Sequence, residues 1–223
     1  MAVSSARSGN TGGTEQSWIK RAGNAAKQLR PPAPSRTVRL LVIADMAPEL
    51  PSDVEGFLDA ESVDVVVLAG DLFSGDLRGL TQTSRPTLGV YGNHCDGAYL
   101  TDLGFANLHL SAVDVAGLTF TGLEGCVRYK AGTGDILYTQ EEYRQMVHQL
   151  PAADVLVTHC PPRGINDHQD PAHHGIDALR TWVETRRPRL MIHGHTYPRS
   201  AMTAFGPTRV EYVQGSRIVT FAT

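Results

Sequence analysis

The chain has 223 residues, 41% of them hydrophobic, with 20 basic and 23 acidic side chains and a net charge of −3. That length and apolar content suit one large domain with a real core, and the near-balanced charge argues against a basic nucleic-acid groove or a cationic membrane-surface face. Three cysteines, Cys95, Cys126 and Cys160, are too few and too odd in number for a secreted disulfide framework; with no signal-like or membrane-length apolar run, the expected setting is the cytoplasm.

Residues 1–36 are rich in Ser, Gly, Arg and Pro and end in Arg30-Pro31-Pro32-Ala33-Pro34-Ser35, the composition of a flexible leader with a stiff exit. Within it, Ile19, Ala22, Ala26 and Leu29 recur at helical spacing, so Trp18–Leu29 reads either as one short helix or as part of a disordered tail. From 37 to 223 the pattern is that of a folded domain. Val38–Ala44, Val63–Ala69, Leu88–Tyr91, Asp154–Thr158 and Leu190–His193 are short runs of Val, Leu and Ile, as expected of strands covered on both faces. Helices are expected over Pro51–Ala60, Gln140–Leu150 and Gly175–Arg186, the middle one with Thr139 as N-cap and Glu141 and Glu142 in its first turn. Leu108–Leu123, and the tail Ser200–Val213 with Arg217–Ala222, alternate and carry turn residues, which suggests antiparallel strands. The whole is α/β with mixed sheets.

Each central run leads directly into polar residues: Asp45, Gly70-Asp71, Gly92-Asn93-His94, His159 and Gly194-His195. In layered α/β folds the C-terminal ends of the strands share one rim, where ligand sites gather. Carboxylates, an amide oxygen and imidazoles together suit Mn, Fe or Zn better than Ca or Mg. Two such ions a few Å apart can clamp a phosphoryl group and generate hydroxide at neutral pH.

This ordered set resembles the calcineurin-like metallophosphoesterase superfamily, whose pattern is Asp-x-His, Gly-Asp, Gly-Asn-His-Asp/Glu, His, and Gly-His-x-His. The resemblance spans residues 38 to about 222. It implies a four-layer αββα sandwich of two mixed sheets flanked by helices. It also implies that Asp45 binds a first metal, that Asp71 bridges both, and that Asn93, His159 and His195 complete the second site. His94 would be the catalytic residue beside the leaving-group oxygen.

The pattern breaks in two places that belong to the same ion. Asp-x-His reads Asp45-Met46-Ala47, and Gly-His-x-His reads Gly194-His195-Thr196-Tyr197. The second site keeps all its ligands, while the first keeps only Asp45 and the shared Asp71. Cys95 stands where the family has the acid that orients the His94 position, and Asp96 follows one residue later, so that this support is either shifted or lost. Cys95 and Cys160 read as small buried thiols. The segment from Ile165 to His174 is dense in ligand-type side chains. It reads as completing the first site, as contacting a substrate phosphate, or as a polar loop capping the next helix. Arg128, His174 and Tyr197 are the candidate substrate contacts, whereas His109 and His148 read as surface histidines.

The expected function is therefore metal-dependent hydrolysis of a phosphate mono- or diester on a small soluble substrate, such as a nucleotide, with one well-held divalent ion beside a degraded position. The rival is a relative that keeps the fold as a ligand-binding or protein-interaction module. The expected partner is a small phosphorylated molecule rather than a membrane or nucleic acid.

Overall fold

A computed structural model describes residues 36–132 and 134–222. The expected leader and its Trp18–Leu29 helix lie outside the described residues. In chain order the elements are β1 (Thr37–Ala44), α1 (Val54–Ala60), β2 (Val65–Ala69), α2 (Ser74–Leu77), β3 (Thr87–Val90), α3 (Tyr99–Asp102), β4 (Ala106–Asn107), β5 (Ala112–Val115), β6 (Leu118–Leu123), β7 (Cys126–Val127), β8 (Leu137–Tyr138), α4 (Gln140–Gln149), β9 (Val155–Thr158), α5 (Asp177–Arg186), β10 (Leu190–His193), β11 (Ala204–Phe205), β12 (Thr208–Tyr212) and β13 (Gly215–Ala222). One sheet runs β13-β1-β2-β3-β4 and the other β11-β12-β10-β9-β6-β5, with β7-β8 as a small third. The interior strands are parallel, and β13, β5 and β11 are antiparallel borders.

The four-layer sandwich follows from how each run divides its side chains. On β1, Val38, Leu40, Val42 and Ala44 enter the core between the sheets, while Leu41 and Ile43 face the layer holding α1 and α3. On β9, Val155 and Val157 meet the same central core, and Leu156 packs toward α4 and α5. Strands buried on both faces need apolar residues at nearly every position, hence the near-continuous runs, with Arg39 of β1 half-buried at the outer end and paired with Glu61. Each fully buried Val or Leu adds about 1.5–3 kcal/mol.

Helix limits follow their caps. Asp53 accepts the Gly56 amide at 2.9 Å and starts α1 three residues later than the apolar pattern alone suggests. Thr139 and Glu142 form a capping box on α4. The expected hairpin in Leu108–Leu123 is present as β5–β6, turned by Ala116 and Gly117 with φ of 52° and 80°. The tail is more divided than the alternation implied. β12 pairs parallel with β10 in one sheet, whereas β13 crosses to the other and pairs antiparallel with β1. Among the described residues no helix is long and apolar enough to cross a membrane.

Candidate functional site

The strands β1, β2, β3, β9 and β10 end at one rim, and tight turns there swing side chains back over it. Asp45, Asp71, His195 and Tyr197 hold left-handed backbone, with φ of 62°, 55°, 72° and 46°. Such residues cost of order 1–3 kcal/mol each and persist where the surroundings over-determine them. The Asp45 amide donates to the Gly70 carbonyl at 3.1 Å and ties two of these turns together. The glycines of the motifs serve the neighbouring ligands. A Cβ on Gly92 would stand 2.1 Å from Asp71 Oδ1, one on Gly70 2.5 Å from His159 Nδ1, and one on Gly194 2.9 Å from Asp45 Oδ2.

Asp45, Asp71 and His159 bring ligand atoms within 4.8 Å of one another. His159 is fully buried and its Nδ1 lies 2.9 Å from the Ala69 carbonyl. A carbonyl only accepts, so Nδ1–H donates and Nε2 is the nitrogen that faces the cluster. It lies 3.0 Å from Asn93 Oδ1 and 3.3 Å from Asp71 Oδ2. Two oxygen acceptors and this nitrogen thus converge on one spot, which calls for a proton on Nε2 or a cation between them. Asn93 is itself buried, and its Nδ2 has no partner among the described residues.

The electrostatics agree. Burial pushes the Asp45 carboxyl up to about 6 against the pull of His159. Burial would also raise Asp71, but the hydrogen bond and charge of His159 prevail and hold it below the usual carboxylate range. For His159 burial works downward, and the carboxylates of Asp71 and Asp45 outweigh it and raise the imidazole. Asp45 accepts the His195 amide on both oxygens, at 3.1 and 3.0 Å. The His195 ring lies 4.9 Å from that of His159, and its Nε2–H donates to the Ala172 carbonyl at 2.9 Å. Burial and His159 push its pKa down to about 3, so it stays neutral with Nδ1 free as a ligand. Asp45, Asp71, Asn93, His159 and His195 are therefore gathered, and their donors fit a borderline divalent cation.

His94 lies at the mouth of this cluster. Its amide donates to Asp71 Oδ1 at 2.7 Å, and its ring is exposed. Asp96 is not its support: that carboxylate accepts the amides of Ala98 and Tyr99 at 3.0 and 3.2 Å and starts α3. The acid beside the ring is Asp135, with Oδ1 3.4 Å from Nδ1, itself paired with Lys130. The Tyr129 hydroxyl lies 3.5 Å from Nε2. Sequence spacing could not find Asp135, because β7 and β8 bring its loop back from about forty residues downstream. Cys95 is buried and donates from Sγ to the Gly92 carbonyl at 3.3 Å; Cys126 and Cys160 are buried and free as well.

The two gaps differ from this enclosure. Ala47 is exposed, and Tyr197 is half-exposed with its ring edge-on to His173 at 6.3 Å. The segment 165–174 is committed mostly to holding itself. Asp167 pairs with Arg163 at 2.7 Å and accepts the Gly164 and Gly175 amides. His174 turns its Nδ1 to Arg163 at 3.2 Å, so its ring is engaged there. His173 is the loop's histidine nearest the cluster: Asp170 holds its Nδ1 at 2.8 Å, and its ring is 5.3 Å from that of His195. Arg128 reaches the Leu137 carbonyl at 2.6 Å and braces β8 rather than the cluster. His193 is buried against Asn166 and Tyr212. His109 is half-buried rather than a surface histidine, with its Nδ1 accepting the Glu124 amide at 3.2 Å.

The family model for calcineurin-like phosphoesterases matches residues 38–199. The chain belongs to the calcineurin-like phosphoesterase family. Membership carries phosphoester hydrolysis with divalent metal ions as the family's chemistry. Two crystal structures resemble this fold. One shares 15% identity and covers 84% of this chain and 95% of its own, with a TM-score of 0.64. The other, TT1561 of Thermus thermophilus, shares 14% identity and covers 84% and 99%, with a TM-score of 0.58. None of the curated proteins matches the chain.

Proposed function

We propose that this calcineurin-like phosphoesterase hydrolyses phosphate mono- or diesters of a small soluble substrate, in the cytoplasm, with one well-held divalent ion. The observation that carries this reading is the convergence of His159 Nε2, Asn93 Oδ1 and Asp71 Oδ2 on one buried point, which a proton on His159 fills in the free protein and a cation can take over. Asp71, Asn93, His159 and His195 would hold that ion, and the mixed oxygen and nitrogen donors suit Mn, Fe or Zn. Asp45 extends the cluster toward the first-metal side, where Ala47 and Tyr197 bring no imidazole and a second ion is held weakly. Bound there, a divalent ion supplies charge neutralisation and a water acidified toward neutral pH.

The chain's own groups supply the rest. With Nδ1–H directed at Asp135, His94 presents Nε2 to the cleft, where it delivers a proton to the departing oxygen. Asp135 is its positioning residue, in place of the acid absent at Cys95. Tyr129 borders the same nitrogen.

Elemental analysis and hydrolysis of a chromogenic phosphodiester with added Mn, in wild type and Asp71→Ala, test this. About one ion per chain is expected, with a rate at least roughly 10²-fold above the variant's, the range set by losing electrostatic stabilisation of the reacting group. Bound metal with equal rates would favour the binding-module reading suggested by Ala47 and Tyr197. Less than one ion per chain would overturn the metal site.

A further inference from the structure

Among the described residues the large apolar side chains that stand exposed are Met46, Phe73, Tyr197 and Met202, at 53%, 51%, 48% and 40%. Single exposed apolar residues need no explanation when they are scattered. These are not scattered. Met46 follows Asp45, Phe73 comes two residues after Asp71, and Tyr197 two after His195, with Met202 further along the same loop. Every one is on a turn that leaves a cluster-bearing strand.

Beside Tyr197 opens a cavity of about 640 Å³, within the range of small-molecule sites, walled also by Asn166, His168, Arg199 and Met202. Its walls are fixed. Asn166 donates to His193 and to the Met202 carbonyl, at 2.9 and 3.2 Å, and accepts the Met202 amide. His168 Nε2 is bonded to the Thr196 carbonyl. The charge within it is one-sided. Asp167 in the wall is neutralised by Arg163, whereas Arg199 has no acidic partner among the described residues.

We propose that the cavity beside Tyr197, one of the two rim positions lacking a first-site imidazole, is a recognition pocket for the organic part of the substrate: a flat aromatic group stacked on Tyr197, carrying a second anionic substituent that meets Arg199. The proposal rests on the phosphoesterase reading and names its substrate class. A tyrosine replacing a metal-binding histidine here exchanges ion affinity for a ring platform a few residues from the cluster. The thioether of Met202 in the same wall adds soft, polarisable contact to a ring edge, and a guanidinium with no carboxylate partner is suited to a carboxylate or phosphate.

The test uses phosphonates, whose carbon–phosphorus bond is not hydrolysed, titrated by calorimetry into the full chain with Mn. Phenylphosphonate should bind about tenfold tighter than methylphosphonate, the gain expected of one stacked ring. Tyr197→Ala should erase that preference and Tyr197→Phe keep it. 4-Carboxyphenylphosphonate should gain a further factor of about three, the scale of an exposed ion pair, and Arg199→Ala should remove it. Equal affinities for the phenyl and methyl compounds in the wild type would overturn the pocket. So would a loss in Tyr197→Phe as large as in Tyr197→Ala. Methylphosphonate affinity unchanged by Asp71→Ala would instead overturn the phosphoesterase reading, while a phenyl preference governed by Tyr197 would still support the pocket.

Discussion

Around His159 the donors and acceptors are enclosed and paired or aimed at one point, whereas around Tyr197, on the same rim, side chains stand in solvent and Arg199 has no acidic partner among the described residues. Both regions are carried on turns that leave parallel strands, and both hold left-handed backbone at non-glycine residues. What separates them is packing. On the His159 side, absent Cβ atoms create room for ligands, and backbone carbonyls fix the imidazole tautomers. On the Tyr197 side hydrogen bonds from Asn166 and His168 hold the frame, but Tyr197 and Met202 themselves stand in solvent, and that surface is free to meet another molecule. A binding position that is enclosed this way is preserved by the fold itself, while an open one can trade its role without costing the core.

The largest effect should come from filling the enclosed side. Gly92→Ala brings a Cβ to 2.1 Å from Asp71 Oδ1 and 2.2 Å from the Asp71 amide nitrogen. Overpacking of this kind costs about 1–3 kcal/mol, and the carboxylate must also leave its place, so urea unfolding should show that loss together with reduced metal stoichiometry. Gly75→Ala is the matched control, since nothing lies within 4 Å of its Cβ. It should be neutral or stabilise by up to about 1 kcal/mol. Equal stability for the two variants would erase the contrast between the enclosed turn at Gly92 and the open position at Gly75 in α2.

That contrast also explains what could be read in advance. The strands β1, β2, β9 and β10 were legible because burial on both faces leaves runs dominated by apolar residues, and the cluster was legible because each ligand follows such a run within three residues. Thr139 announced α4 as its N-cap, with Glu141 and Glu142 in the first turn. Hidden from sequence were contacts made by backbone or by distant loops: the Ala69 and Ala172 carbonyls that set the ring tautomers, and Asp135 beside His94. Carbonyls have no residue identity to read. Likewise His173 and His174 are neighbours in sequence, and only the turn at Pro171–His173 decides that the first faces His195 while the second faces Arg163.

Next in size is the arrangement at the mouth of the cleft, where half-buried Asp135 meets the exposed ring of His94. Asp135→Asn should slow hydrolysis of an aryl phosphodiester with a poor leaving group roughly tenfold to a hundredfold, within the usual worth of proton transfer. A nitrophenyl ester, whose leaving group needs little protonation, should be slowed far less. Cys95→Asp in that background restores the family's acid next to the ring and should recover most of the loss. A uniform drop for both esters with no recovery would mean that Asp135 holds the loop through Lys130 rather than the ring of His94.

The smallest change in stability, and the most direct reversal of the contrast, is the pair Ala47→His with Tyr197→His. Ala47 is exposed and Tyr197 half-exposed, so the substitutions should alter stability by no more than about 0.5 kcal/mol. The backbone at position 197, with φ of 46°, suits histidine better than tyrosine, because histidine is among the residues enriched in left-handed conformation. Asp45 and Asp71 already supply two carboxylates to that corner, and two imidazoles would complete a four-donor set of the kind borderline ions prefer. Elemental analysis should then rise from about one ion per chain to two, while the preference for phenylphosphonate over methylphosphonate disappears with the ring platform. A variant that still holds one ion would show that the turns themselves have moved away from the family's geometry, so that Tyr197 follows from a reshaped rim rather than from a single exchanged side chain.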